Sequence, residues 1–100
     1  MDKSAMAAAL NAKSAWLPNK TVKLDFGDQA GVILLDGVAN QVTETDAPAD
    51  TTIKVAWEDW EAMRDGKLDG MTAFMQGKLK VEGDMSNAMQ LQGVLAKLKG

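Results

Sequence analysis

The sequence predicts an α+β fold in which helices cover one face of a β-sheet. Segments with a two-residue alternation of apolar and polar side chains, typical of half-buried strands, occupy the middle of the chain. Segments of helix-forming residues lie before, between and after them. The 100 residues, 46% hydrophobic and 25% charged, suit a single globular domain over residues 1–100. The predicted element order α-β-β-β-β-α-α-β-α favours helices packed on one sheet face.

The first helix is predicted over residues 2–14, which are rich in Ala, Lys, Met and Leu. Met6 and Leu10 lie four residues apart and share one face of this helix. Pro18 ends it, because the residue before a proline avoids helical geometry. Trp16 lies at this exit from the helix.

Four strands are predicted next along the chain. Residues 21–26 alternate between apolar and polar side chains, and residues 51–56 do so again. The continuously apolar run at residues 32–35 is expected of a strand that is buried on both faces or faces a cavity. Asp36-Gly37 predicts a two-residue hairpin turn, after which residues 38–45 form a more polar strand.

The C-terminal half is predicted to hold three helices and one strand. A short helix over residues 57–64 is acidic in its first turn, where the helix dipole favours negative charge. A second short helix is predicted at residues 71–76, followed by a strand at residues 78–82. Gly83-Asp84 supplies a turn and an N-cap for a last helix over residues 85–99.

The last helix carries an unusually wide apolar surface. At about 100° per residue, its apolar residues spread over roughly 220° of the circumference, whereas covering a sheet needs a stripe little over about 100° wide. The surplus can face a partner chain, another helix or a cavity, and a helix wedged between two packed layers explains it equally. Gln92 falls inside this arc, either as a contact for a ligand head group or as a rim position. The apolar residues are Met85, Ala88, Met89, Leu91, Val94, Leu95, Ala96 and Leu98.

Methionines are concentrated in the same half of the chain. The methionine side chain is flexible and polarisable, and it is common on surfaces that accept varied apolar shapes. Gap-filling in an ordinary core is the other explanation. With Phe74, Trp57 and Trp60 nearby, this segment could line an adaptable pocket. Five methionines fall within 27 residues, namely Met63, Met71, Met75, Met85 and Met89.

Charge and composition exclude several function classes. The net charge of −3 and pI of about 4.8 give no electrostatic reason to bind nucleic acid, and they argue against strong docking on anionic membranes. The chain has neither cysteine nor histidine, which excludes thiolate catalysis and removes the usual general base and the commonest metal ligand. We therefore expect no catalytic residue, no metal, no cofactor and no enzyme activity, short of an unusual carboxylate or lysine site.

The ends of the chain predict a cytoplasmic location. The longest apolar run near the N-terminus, at residues 5–10, is too short to cross a membrane. It also lacks the basic flank and the longer apolar region of a secretory signal. The final residues, Leu98-Lys99-Gly100, are not a peroxisomal address.

One stretch of the chain carries a family resemblance. Residues 72–91 read T-A-F-M-Q-G-K-L-K-V-E-G-D-M-S-N-A-M-Q-L. This resembles the pattern A-F-x-x-G-K-[LIV]-K-[LIV]-x-G-[DN]-M leading into an A-M-x-L helix, as found in the sterol carrier protein family, also called non-specific lipid-transfer proteins. Upstream, Thr52-Ile53, Trp60 and Gly66-Lys67-Leu68 are similar to that family's fourth strand and following helix. The resemblance is specific over residues 51–98 and architectural before them.

The resemblance implies a five-stranded mixed β-sheet with helices covering one face and a hydrophobic tunnel between them. It implies lipid binding and lipid transport without catalysis, with a fatty acid, fatty acyl-CoA, phospholipid or sterol as the ligand. Tunnel-lining positions are expected on the last helix and on the segment before it, with two tryptophans and one glutamine as further candidates. The expected ligand-binding residues are Met63, Phe74, Met75, Met85, Met89, Gln92, Leu95, Trp16 and Trp57.

A second function stays open at this point. The same fold is attached to some alkyl sulfatases and serves in quinone-biosynthesis accessory proteins, so the resemblance also allows an accessory or dimerisation module. The wide apolar arc of the last helix would then meet a partner chain. A homodimer and a transient membrane contact are both compatible with the sequence.

Overall fold

The computed structural model describes residues 2–27 and 30–90. The elements in this part of the chain follow the predicted order, and residues 85–90 are helical at the start of the predicted last helix. Residues 91–99 of that prediction lie outside the described residues. The helices are α1 (Lys3–Ala12), α2 (Trp57–Arg64) and α3 (Gly70–Met75), and the strands are β1 (Thr21–Asp25), β2 (Val32–Asp36), β3 (Gln41–Thr43), β4 (Thr51–Val55) and β5 (Leu79–Gly83).

The strands form one five-stranded sheet in the order β3-β2-β1-β4-β5. The central pair, β1 and β4, is parallel, while β1–β2, β2–β3 and β4–β5 are antiparallel. The parallel pair is joined by a crossover through β2 and β3 instead of a tight turn, since only antiparallel neighbours can be joined by a hairpin. The predicted fold class, α+β with a five-stranded mixed sheet, is confirmed.

The sheet buries one face against the helices. Leu24 on β1 lies opposite Ile33 of β2 and Ile53 of β4, and all three side chains are fully buried. The next residue back, Lys23, points to the other face, where Thr52 is its neighbour on β4. This alternation is what the two-residue period predicts. From the helices the core receives Met6, Leu10, Trp60, Met63 and Ala73.

The first helix closes the β3 end of the sheet. The Asp2 carboxylate caps it by accepting a hydrogen bond from a first-turn amide, and Met6 and Leu10 are fully buried beneath it, as their spacing predicts. The side-chain oxygen of Asn11 accepts a hydrogen bond from the Val42 amide at 3.1 Å. This bond ties the last turn of α1 to the edge strand.

The predicted two-residue hairpin at Asp36-Gly37 is wrong. Four residues separate β2 from β3, and β3 is correspondingly short. The Asp36 carboxylate accepts hydrogen bonds from the two amides that follow Gly37, at 3.0 and 2.9 Å, which produces a wider turn. The Gly37 amide donates to the Lys20 carbonyl at 2.8 Å, and a side chain at Gly37 would collide with the Leu17 carbonyl. Gly37 is therefore required for close backbone packing and does not form a tight hairpin corner.

Different helices pack against the two ends of the sheet. At the β3 end α1 lies against the edge strand, whereas at the β5 end α3 does so. The side chains of α2 enter the core through Trp60 and Met63. The helical residues 85–90 follow β5 directly, which places them at the same end as α3. The candidate site lies at this β5 end.

Candidate functional site

An apolar cavity of about 240 Å³ lies between the β4–β5 pair and the helices at that end of the sheet. Two strands supply its floor, and α2, α3 and the helical residues 85–90 supply its walls. Every lining residue within the described part of the chain is either a glycine or carries an apolar side chain. The lining residues are Ile53, Met63, Gly70, Met71, Phe74, Leu79, Val81, Met85, Ala88 and Met89.

The register between β4 and β5 determines which side chains form the floor of the cavity. Ile53 of β4 pairs directly with Val81 of β5, and Leu79 is two residues away on the same face. The intervening positions put Lys54 and Lys80 on the opposite face, away from the cavity. The two-residue period therefore separates the apolar floor completely from the charged outer face of the same two strands.

The entry to the last helix is fixed by a chain reversal and a cap. Gly83 has a φ of 94° and approaches the Asp50 backbone so closely that a side chain there would collide with it. The Asp84 carboxylate then accepts hydrogen bonds from the Ser86 hydroxyl at 2.7 Å and the Ser86 amide at 2.9 Å. These two hydrogen bonds hold the pKa of Asp84 below its usual value.

A buried polar pair anchors the same helical residues to the sheet. Asn87 and Thr51 are 1% and 0% exposed. The Asn87 side-chain amide donates to the Thr51 hydroxyl at 3.0 Å, and that hydroxyl donates to the Asp84 carbonyl at 2.8 Å. Since Thr51 faces the helices from the end of β4, this pair fixes the rotation of the helical residues 85–90. That rotation places Met85, Ala88 and Met89 on the cavity side.

The helix α3 supplies the outer wall. The Asp69 carboxylate caps it by accepting a hydrogen bond from the Thr72 amide at 3.1 Å, and Ala73 packs into the core with no exposed surface. Met71 and Phe74, three residues apart, then lie on the face that borders the cavity.

The cavity has a buried interior and an exposed rim. Ile53 and Met63 at its base are 0% and 3% exposed. At the rim, the exposed fractions are far larger than is usual for such side chains. They are 48% for Met71, 41% for Phe74, 47% for Met85 and 61% for Met89. The cavity therefore opens to solvent through apolar side chains.

The structure brings together four of the nine predicted ligand-binding residues: Met63, Phe74, Met85 and Met89 all line the cavity. Gln92 and Leu95 lie outside the described residues.

Three of the nine lie elsewhere. Met75 is on α3 but is 82% exposed and points away from the cavity. Trp57 packs edge-on against Phe26, with ring centroids 5.0 Å apart. Trp16 is half-buried against the core near the end of α1, outside the cavity lining. The family resemblance implies these three residues, but it does not specify the direction in which each side chain points.

Six lining residues were not among the predicted ligand-binding residues, although the sequence pattern marks most of them as candidates. The alternation in β4 and β5 could have identified the three floor residues, because it defines one common face. Helical spacing marks Met71, three residues before Phe74, and Ala88, three residues after Met85, as lying on the same helix faces as those residues. The missed residues are Ile53, Gly70, Met71, Leu79, Val81 and Ala88.

A second depression lies at the ends of β1, β4 and β5. It is larger, about 460 Å³, but it is shallow and polar, with Asp25, Lys54, Lys78 and Lys80 among its lining residues. An acyl chain would gain little there because few apolar surfaces are available to cover it. The smaller, apolar cavity is the better ligand site.

The described lining of the cavity suits binding by apolar contact. Among the described lining residues there is no ionisable side chain and no hydroxyl, thiol or amine that could act as a catalytic nucleophile. Within residues 2–27 and 30–90 no group of three or more Asp or Glu residues is placed to hold a metal ion. In the same ranges, no helix has the length and apolar character needed to cross a membrane.

Comparison with known proteins gives a consistent picture. The family described as the SCP-2 sterol transfer family matches residues 4–96. Sterol carrier protein 2 of Bos taurus is 42% identical over 59 residues, which cover 59% of this chain and 11% of that protein. Hydroxysteroid dehydrogenase-like protein 2 of Danio rerio is 38% identical over 78 residues, covering 73% of this chain and 19% of that protein. The chain thus spans a fifth or less of the length of these two relatives.

A solved structure extends the similarity over the whole fold. The solution structure of palmitated SCP2L2 from Aedes aegypti is 26% identical, covers 95% of each chain and superposes with a TM-score of 0.74. The family match covers nearly the full length of the chain. The chain belongs to the SCP-2 sterol transfer family.

Proposed function

We propose that this protein binds a long-chain lipid in the cavity at the β5 end of the sheet and acts as a carrier without catalysing a reaction. The candidate ligands are a fatty acid, a fatty acyl-CoA, a phospholipid or a sterol-like molecule. The observation that carries the proposal is the cavity lining, which among the described residues consists of apolar side chains and one glycine. The palmitated relative supports the same ligand class.

The energetics are sufficient for this role. Each buried methylene contributes about 0.8 kcal/mol, so a dozen contribute roughly 10 kcal/mol before the costs of binding. Ordering and association remove about half of this or more, which leaves affinities in the micromolar range. Apolar contact of this kind discriminates weakly between ligands of similar length.

The cavity volume suggests how such a ligand lies. At about 240 Å³, the cavity is below the 300–1,000 Å³ or so that is usual for sites enclosing a drug-sized ligand. A long chain would therefore fill the interior and continue along the exposed rim residues. A closed tunnel, which the family resemblance implies, would require further cover over this rim.

Two aspartate variants on α3 test the proposal. Met71→Asp puts a charge on the cavity rim, and Met75→Asp puts the same charge on the same helix but away from the cavity. We expect Met71→Asp to weaken binding of a fluorescent fatty acid at least about tenfold, because a carboxylate resists burial under an acyl chain. Met75→Asp should bind like the parent protein. Equal effects of both substitutions would contradict the proposed site.

Native mass spectrometry of freshly purified protein tests the ligand directly. The expected result is a co-purifying lipid that is lost from the Met71→Asp variant and retained by Met75→Asp. Protein that carries no lipid and also fails to bind fluorescent fatty acids at tens of micromolar would refute lipid carriage.

The exposed rim supports a second candidate function, an accessory or dimerisation module. Four large apolar side chains exposed by 41–61% around one opening could equally contact a partner chain. Sedimentation equilibrium separates the two functions, because a homodimer through this rim would dissociate in the Met71→Asp variant and persist in Met75→Asp. A monomer that binds fatty acid favours the carrier.

A further inference from the structure

The methionine residues in the described part of the chain fall into a buried group and an exposed group. Met6 and Met63 are 0% and 3% exposed, whereas Met71, Met85 and Met89 at the cavity rim are 48%, 47% and 61% exposed. Because the chain has no cysteine, its thioethers are the sulfur groups available to an oxidant. Of the four exposed methionines in the described residues, three therefore lie at the opening of the proposed lipid site, and Met75 lies off it.

The relevant oxidant is hydrogen peroxide. A lone pair of the thioether sulfur attacks one peroxide oxygen, an S–O bond forms, and the O–O bond breaks. The transferred oxygen gives up its proton, and the departing hydroxide takes up a proton to become water. The sulfur is oxidised by two electrons to the sulfoxide, and the peroxide is reduced to one molecule of water. The product is a polar group in place of an apolar one, and methionine sulfoxide reductases can reverse the change.

We propose that Met71, Met85 and Met89 form a reversible oxidation site, and that converting them to sulfoxides releases or excludes the lipid. The inference rests on the proposed function, since it assigns a regulatory chemistry to the same cavity. All three side chains line the cavity, so an S–O dipole added to any of them faces either the ligand or the water at the rim.

The protein supplies internal controls for this chemistry. Met75 lies on α3 beside the rim but is 82% exposed and lies off the cavity. It should be oxidised readily whether or not lipid is bound, with no effect on binding. Met63 lines the base of the cavity but is almost inaccessible, and should stay reduced while the fold is intact.

Peptide mass mapping after brief peroxide treatment tests the site itself. In lipid-free protein, the three rim methionines and Met75 should be oxidised several times faster than Met6 and Met63. Saturation with sodium palmitate should protect the rim methionines and leave the rate at Met75 unchanged. Uniform oxidation of all six residues, or no protection by palmitate in protein that binds it, would overturn the assignment.

Binding measurements before and after oxidation test the consequence. We expect protein oxidised at the three rim methionines and at Met75 to bind palmitate about tenfold more weakly, because the rim sulfoxides must lose water to contact an acyl chain. Treatment with methionine sulfoxide reductases of both stereospecificities should restore the affinity. Far-ultraviolet circular dichroism checks that the oxidised protein keeps its fold, and unchanged affinity after full rim oxidation would overturn the inference.

Leucine variants separate this inference from the proposed function. For each protein, the palmitate affinity after peroxide is compared with its own value before peroxide. The triple variant Met71→Leu/Met85→Leu/Met89→Leu should show a ratio near one, while Met75→Leu should keep the peroxide sensitivity. Failure of untreated parent protein to bind palmitate refutes the proposed function and the inference with it. Binding that is insensitive to peroxide refutes the inference alone.

Discussion

Replacing Thr51 by valine tests the anchor that holds the helical residues 85–90 against β4. The Thr51 hydroxyl donates to the Asp84 carbonyl at 2.8 Å and accepts from the Asn87 side-chain amide at 3.0 Å. Valine preserves the shape of the side chain and removes the hydroxyl. The side-chain amide of Asn87, a residue that is 1% exposed, then loses its acceptor. The partly buried Asp84 carbonyl loses its donor.

The expected loss of stability comes from the unsatisfied Asn87 side-chain amide and Asp84 carbonyl. A buried polar group left without a partner costs about 1–3 kcal/mol, and less where water can reach it. We therefore expect Thr51→Val to lower the free energy of unfolding by about 2–3 kcal/mol, which for a domain of this size is a fall in Tm of roughly 10–20 °C. Thr52→Val, one residue along the same strand and on the opposite face, should change the stability by less than about 0.5 kcal/mol.

Urea unfolding followed by tryptophan fluorescence measures both variants, and the double variant Thr51→Val/Asn87→Leu completes the experiment. Replacing both partners by apolar groups removes the unsatisfied amide, so the double variant should recover at least about 1 kcal/mol relative to the sum of the single changes. The reasoning is refuted if Thr51→Val is no more destabilising than Thr52→Val. Strict additivity in the double variant would also refute it.

Three further predictions concern other parts of the molecule. Gly37→Ala should destabilise the protein by at least about 2 kcal/mol in thermal unfolding, because its side chain would meet the Leu17 carbonyl; an unchanged Tm would contradict the packing described for that turn. Asp2→Ala should cost about 1 kcal/mol by removing the cap of α1, as measured by urea unfolding, and no loss would mean that the cap is replaced. Hydrogen bonds from Ser86 lower the pKa of Asp84 from 3.8, so its contribution to stability is present above that pH and is lost as the pH falls further. Asp84→Asn should therefore show a smaller loss of stability on acidification below pH 3.8 than the parent protein, and identical pH profiles would contradict the effect.

The elements were predictable because each depends on local pattern. The two-residue alternation in β1 and β4 and the acidic start of α2 identify these elements with little help from the rest of the chain. The turn after β2 was not predictable in this way. Asp36-Gly37 has the composition of a tight hairpin turn. However, the Gly37 backbone hydrogen-bonds to Lys20 and packs against Leu17, which are distant in sequence. Tertiary packing there overrides the local preference.

The site was predictable in part for the same reason. Sequence patterns locate Met85 and Met89 on one helix face, and the family resemblance points that face towards the sheet. What sets their final direction is the contact between Asn87 and Thr51, 36 residues apart, which no local pattern contains. Met75 shows that residue type alone does not place a side chain in the site. In the short helix α3, Ala73 occupies the buried position and Met75 is exposed to solvent.

The division of the sheet into two ends explains how so short a chain can have a cavity. A domain of 100 residues has little apolar surface to spare, so a void must be offset by tight packing elsewhere. At the β3 end, Met6 and Leu10 of α1 are fully buried and the capped helix closes the core. At the β5 end, α2 and α3 also pack into the core, through Trp60, Met63 and Ala73. Helix caps and the buried Asn87–Thr51 pair add contacts there that do not require the space between the helices to be filled. At the β5 end, hydrogen bonds at the helix ends thus add to the side-chain packing that positions the helices, and an apolar ligand can occupy the space that remains.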